Sequence, residues 1–161
     1  MFNNKYGDEG FTVLFKEEIS KDSEKLDFLG DLKEVKAYIK LCINFINPFT
    51  YYFINETLTE ILNVLDKIEK DYLENTKDHY EVKSVVELEK SIQELNTKLD
   101  GYRKKDLIDN KISALAELIY TKCLKLERSY YKLKKEQKYQ SYLNRINDYF
   151  YLLSEYASKE M

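Results

Sequence analysis

Glycine and proline are nearly missing. The chain of 161 residues holds 4 glycines and 1 proline, about 3% where average usage gives about 12% for the pair. Sandwiches, barrels and doubly wound sheets need frequent tight turns, and tight turns draw on these two residues. Such architectures are excluded, as are collagen-like and linker-like chains. Histidine occurs once, at His79, which removes any two-histidine metal site within one chain. A histidine-based triad would have to use His79, which lies in a polar stretch with no nucleophile near it. Two cysteines, Cys42 and Cys123, do not make a disulfide framework. No apolar run approaches the roughly 18 residues of a membrane span, and the opening MFNNKYGDEG has no stretch of signal-peptide type. The default expectation is a reduced cytoplasmic protein. Neither a Walker A sequence nor a dinucleotide fingerprint occurs. The 26 basic residues against 29 acidic ones leave a net charge of −3, which argues against whole-surface binding to nucleic acid or an anionic membrane.

What is present suits long helices with few corners. The length is a prior for one domain, and charged residues at 34% with hydrophobic ones at 43% exclude a disordered or membrane-embedded chain. Residues 1–22 form a loop region with a short extended piece at Phe11–Phe15, and 23–158 a helical bundle. Apolar residues recur at three- and four-residue spacing in five stretches, each a helical stripe. The first helix spans about Ser23–Ile46 and stops at Asn47-Pro48, because the residue before proline is pushed out of the helical region. A second spans about Thr50–Leu73. Ser84-Val85-Val86-Glu87 reads as a capping box opening a third helix that ends near Gly101. The fourth spans about Leu107–Glu136 and the fifth about Tyr139–Ser158. These make an all-α five-helix bundle.

Two helices carry a second apolar row: Tyr142, Tyr149 and Tyr156 on the fifth, Tyr120, Leu124 and Tyr131 on the fourth. Such a helix is central in its bundle or meets another subunit; an aromatic shell around one core explains the rows equally well. Cys42 and Cys123 fall on core stripes, where cysteine is ordinarily a small hydrophobe. The basic run from Lys122 to Lys138 reads first as a solvated helix face and second as a phosphate-binding surface.

Four stretches, in order, are similar to one pattern. Lys5-Tyr6-Gly7-Asp8-Glu9-Gly10-Phe11-Thr12-Val13-Leu14-Phe15 resembles T-K-T-G-D-x-G-x-T-x-L-F, and Ile19-Ser20-Lys21-Asp22 continues it. Leu29-Gly30 through Glu34-Val35 to Ile39 resembles Y-G-T-V-D-E-L-N-S-x-I. Tyr120-Thr121-Lys122-Cys123-Leu124-Lys125-Leu126-Glu127-Arg128 resembles R-T-V-C-R-R-A-E-R. Tyr142-Leu143-Asn144-Arg145-Ile146 through Asp148 to Ala157 resembles Y-L-N-R-L-S-D-x-L-F-x-L-A-R-Y-A. In these four stretches the chain resembles the family of the PduO-type ATP:cob(I)alamin adenosyltransferases.

The resemblance implies a trimeric five-helix bundle with sites between subunits. Its activity is transfer of the 5′-deoxyadenosyl group of ATP, taken with Mg²⁺, to cob(I)alamin (a corrinoid) with release of triphosphate. It also implies cofactor-binding roles for Lys5, Gly7, Asp8, Gly10, Thr12 and Asn144, and catalytic roles for Glu127 and Arg128. Glycines let the backbone approach phosphates closely, and cations offset the charge of the leaving triphosphate. Several positions depart from the pattern. An arginine–aspartate pair of the family stands here as Tyr120 and Lys33, a nucleotide-contacting arginine as Leu124, and an asparagine as Lys36. Lys125 adjoins Leu124 but points about 100° away on the helix. A gapless extension puts Lys104, or Lys105 after a slip of one, where the family keeps the apolar residue that displaces the lower ligand of cobalt. The enzyme is therefore the leading expectation, and its rival is a catalytically silent member that binds nucleotide, corrinoid or another protein. A plain helical scaffold with no ligand is a third.

Overall fold

The computed structural model describes residues 7–14, 16–74, 82–104, 110–133 and 138–161. A two-stranded antiparallel hairpin, β1 (Phe11–Leu14) and β2 (Glu17–Ser20), precedes five helices: α1 (Glu24–Phe45), α2 (Tyr52–Glu74), α3 (Val82–Leu99), α4 (Lys111–Lys132) and α5 (Gln140–Glu160). The fold class is all-α, as expected. The expected extended piece is half of a hairpin, with Thr12 opposite Ile19. Its turn holds Lys16 at φ 64, a left-handed residue that carries no glycine or asparagine signal.

The helix ends follow local chemistry. Ser23 caps α1, its hydroxyl accepting from the Leu26 amide at 3.4 Å. After Ile46 the Asn47 side chain accepts from the amides of Phe49 and Thr50 at 2.9 and 3.2 Å, closing the Pro48 corner. The Ser84 capping box does not form. The backbone is already helical at Val82, so Ser84 sits inside the first turn, and Glu87 reaches forward to Lys90 at 3.2 Å. The fourth helix starts later than the expected Leu107, because Asn110 is its cap and accepts from the Ser113 amide at 2.8 Å. It ends at Lys132, short of Glu136.

The core runs along the axis of α5, which packs against α4 and α3, while α1 packs against α4 and α2. Tyr142, Tyr149 and Tyr156 are buried beside Leu143, Ile146, Phe150 and Leu153. The second row of α5 therefore belongs to this chain's own core, and α5 is central. The second row of α4 is different: Tyr120 and Leu124 are half-buried and Tyr131 is exposed. Phe28 anchors one end with its ring 5.0 Å from Tyr72 and 5.3 Å from Tyr130. Cys42 and Cys123 are free and buried. Burial pushes the Cys42 thiol up to about 12 and the Cys123 thiol higher still, so neither is a nucleophile at neutral pH.

Candidate functional site

The first half of the candidate site is the loop before β1. Gly7 and Gly10 have φ of 101 and 87, a region that residues with a Cβ rarely adopt. The Gly10 amide donates to the Gly7 carbonyl at 3.1 Å, and the Lys21 amide donates to the Gly10 carbonyl at 2.8 Å. The Lys21 ammonium donates to the Gly7 carbonyl at 2.7 Å. A tight turn is thus tied to the end of β2 with a cation beside it. Asp8 is exposed at its tip and Thr12 half-buried on β1. Lys5 lies outside the described residues, as does His79. Lys21 was not among the expected contacts. The signal for it was Ile19-Ser20-Lys21-Asp22, read only as a continuation of the glycine stretch.

The second half lies at the C-terminal end of α4. Arg128 is exposed and lines a surface cavity of about 190 Å³ with Asp27, Asp31, Lys125 and Lys132. A neighbouring cavity of about 330 Å³ is lined by Ile19 of β2, Ser23 to Lys25 at the start of α1, and Leu133 after α4. These cavities put the hairpin and Arg128 at one end of the bundle. Asn144 is exposed on α5. Glu127 is half-buried and turned toward α5, where it accepts from Gln140 Nε2 at 2.8 Å and Asn147 Nδ2 at 2.6 Å. Neither amide had been singled out.

The departures from the pattern are rewired rather than left open. Lys33 lies 3.8 Å from Glu69 on α2, and the Tyr120 ring packs at 5.7 Å against Tyr151. The link between α1 and α4 is carried instead by Lys122 with Glu34 at 2.9 Å and Lys125 with Asp31 at 3.0 Å. Lys36 pairs with Asp66 at 2.6 Å and with Glu69. Burial alone would lower its pKa, but the hydrogen bonds and charges of Asp66 and Glu69 outweigh that and raise it. Lys104 donates its backbone amide to the buried Glu155 at 2.6 Å, and its ammonium to Ser154 Oγ at 3.0 Å. Glu117 lies 3.1 Å from the same ammonium.

Arg145 meets Glu89 at 2.8 Å and Asp148 at 3.7 Å, so the Asp148 pair forms but is the weaker one. Among the described residues no group of three or more histidine, cysteine, aspartate or glutamate side chains could hold a metal ion.

A family model for cobalamin adenosyltransferases matches residues 2–157. The chain belongs to the cobalamin adenosyltransferase family. Solved structures of a PduO-type ATP:corrinoid adenosyltransferase from Lactobacillus reuteri share the fold of this family member. One variant, complexed with cobalamin and ATP, matches with a TM-score of 0.81 at 21% identity, over 99% of this chain and 91% of that one. A second variant in the same complex matches with 0.81 at 20% identity, over 99% and 94%. A third, complexed with ATP, matches with 0.83 at 21% identity, over 97% and 93%. No curated protein sequence matches the chain. No described helix is long and apolar enough to cross a membrane.

Proposed function

We propose that the chain binds ATP, brought in with Mg²⁺ as its counter-ion, and transfers the 5′-deoxyadenosyl group to cob(I)alamin with release of triphosphate. In the reaction the cobalt nucleophile attacks the 5′ carbon and the C–O bond to triphosphate breaks. The work of this chain is to hold the leaving charge. The Gly7–Gly10 turn, whose glycines let a phosphate approach the backbone closely, Lys5 and the exposed Arg128 are the groups for that. Asp8 and Thr12 order the loop, and Asn144 takes a polar edge of the nucleotide. The single observation that carries the reading is the Gly7–Gly10 turn, with its two positive φ angles and the Lys21 ammonium held against it. A turn of that shape with a cation beside it is built for close approach of an anion. We propose a trimer, with sites completed by neighbouring copies, and sedimentation velocity tests that.

A second reading is favoured by two observations. Leu124 replaces a cation with an apolar side chain. The Lys104 ammonium, held by Ser154 and Glu117, offers no apolar surface to the lower face of a corrinoid. Under it the chain binds nucleotide and does not turn over. Formation of adenosylcobalamin from Mg-ATP and reduced cobalamin supports the first reading, and binding of Mg-ATP in titration calorimetry without that turnover supports the second. No binding of either ligand leaves the scaffold.

A further inference from the structure

Glu127 gives both carboxylate oxygens to α5. Oε1 accepts from Gln140 Nε2 at 2.8 Å and Oε2 from Asn147 Nδ2 at 2.6 Å. Among the described residues no cation lies within ion-pair distance of it. The two donors are two turns apart, about 10 Å along the helix. They converge on one carboxylate from opposite ends, so α4 cannot slide along α5 in either direction without losing a bond. The amide orientations are set by this grip: Asn147 Oδ1 and Gln140 Oε1 are buried with no hydrogen-bond partner among the described residues, a cost accepted so that both nitrogens face Glu127. The residues on either side are the exposed ones. Arg128 follows Glu127 on α4, and Asn144 lies between Gln140 and Asn147 on the same face of α5.

We infer that Glu127 is a positioning residue that Asn147 and Gln140 hold so as to fix Arg128 and Asn144 in one register at the nucleotide, and that it does not itself touch the nucleotide. The inference rests on the nucleotide-binding reading above. It reassigns Glu127, whose expected role was catalytic, and gives Asn147 a role that the family pattern, with serine there, does not provide.

The test is a cycle of Asn147→Asp, Glu127→Gln and the double variant, each read by Mg-ATP affinity and by thermal melting. In Asn147→Asp two carboxylates face each other and share a proton, so the proton is held more tightly in the native state than in the unfolded chain. Stability is therefore kept at low pH and lost as pH rises. Near pH 8 this variant melts lower and binds Mg-ATP roughly tenfold or more weakly, the scale of a lost hydrogen bond to a charged group; both losses shrink toward pH 5. The double variant restores an amide-to-carboxylate bond with its polarity reversed, so melting and affinity both return to near the wild-type values. A double variant that melts like the wild type but binds as weakly as Asn147→Asp overturns the inference, because it shows the carboxylate at position 127 on the nucleotide. Should the double variant fail to fold, Asn147→Ala decides: weaker Mg-ATP binding is expected, and unchanged affinity overturns the inference. A wild-type chain that does not bind Mg-ATP overturns the parent reading and this one with it. The melting cycle, which needs no ligand, then separates that failure from failure of the grip.

Discussion

Replacing Gly7 by alanine tests the loop where its geometry is tightest. The residue has φ of 101, and a Cβ built there meets the Phe11 carbonyl oxygen at 2.9 Å and the Lys21 ammonium at 3.0 Å. Lysine can swing away, but the carbonyl belongs to β1 and cannot move without breaking the hairpin. A residue with a Cβ in this region costs about 1–3 kcal/mol, and the carbonyl contact places Gly7→Ala toward the upper end. Taking about 2–3 kcal/mol as the bias against the native turn, the population able to bind falls roughly 30- to 150-fold, and the apparent Kd for Mg-ATP rises by that factor. Among the described hairpin residues only Leu14 packs against the helical core, and only partly buried, so the main melting transition moves little. Titration calorimetry with Mg-ATP, alongside a thermal melt, reads both numbers. Wild-type affinity in a folded Gly7→Ala protein refutes the assignment of this turn to the triphosphate.

Four further outcomes follow from the same structure. Gly30→Ala is a contrast: the glycine is exposed inside α1, and beyond the local helix backbone no described atom lies within 4 Å of an added Cβ. Alanine there should stabilise by about 0.5–1 kcal/mol, or roughly 1–4 °C in a chain this size, in a melting experiment. The thiols of Cys42 and Cys123 should resist a thiol reagent in the native protein at pH 8 and both react in denaturant. Burial raises these thiols and the Tyr142 and Tyr149 phenols above their ordinary values of 9.0 and 10.0. The native state therefore keeps protons that the unfolded chain gives up, so the melting temperature should hold below about pH 9 and fall steadily above it. Leu124→Arg should tighten Mg-ATP binding without lowering the melting temperature, because the leucine is only half-buried; unchanged affinity would mean this turn of α4 does not face the phosphates.

The helices were legible because each apolar stripe had somewhere to go. Phe28, Leu32, Val35, Ile39 and Cys42 all lie in the core, as do Ile54, Leu58, Ile61, Leu65 and Ile68. Local cap chemistry was less reliable. The Ser84 box was overridden by a helix already formed at Val82, and the Asn110 cap was hidden behind an apolar pattern that began earlier. The second hairpin strand carries Glu17 and Glu18 and turns on a lysine, so neither alternation nor turn residues gave it away. In the site, the Gly7–Gly10 turn was readable because glycine at positive φ leaves a mark in sequence. The partners of Glu127 were not. Asn147 is 20 positions along the chain from it, and only the pairing of α4 with α5 brings them together. The same holds for Lys104, whose partners Glu117, Ser154 and Glu155 come from two helices.

Turnover is the most direct test of the account. Purified protein is mixed with Mg-ATP and chemically reduced cobalamin under anaerobic conditions, and the absorbance change of adenosylcobalamin formation is followed together with triphosphate release. The account predicts saturable formation of adenosylcobalamin with one triphosphate released for each. Binding of Mg-ATP without any adenosylcobalamin would contradict it.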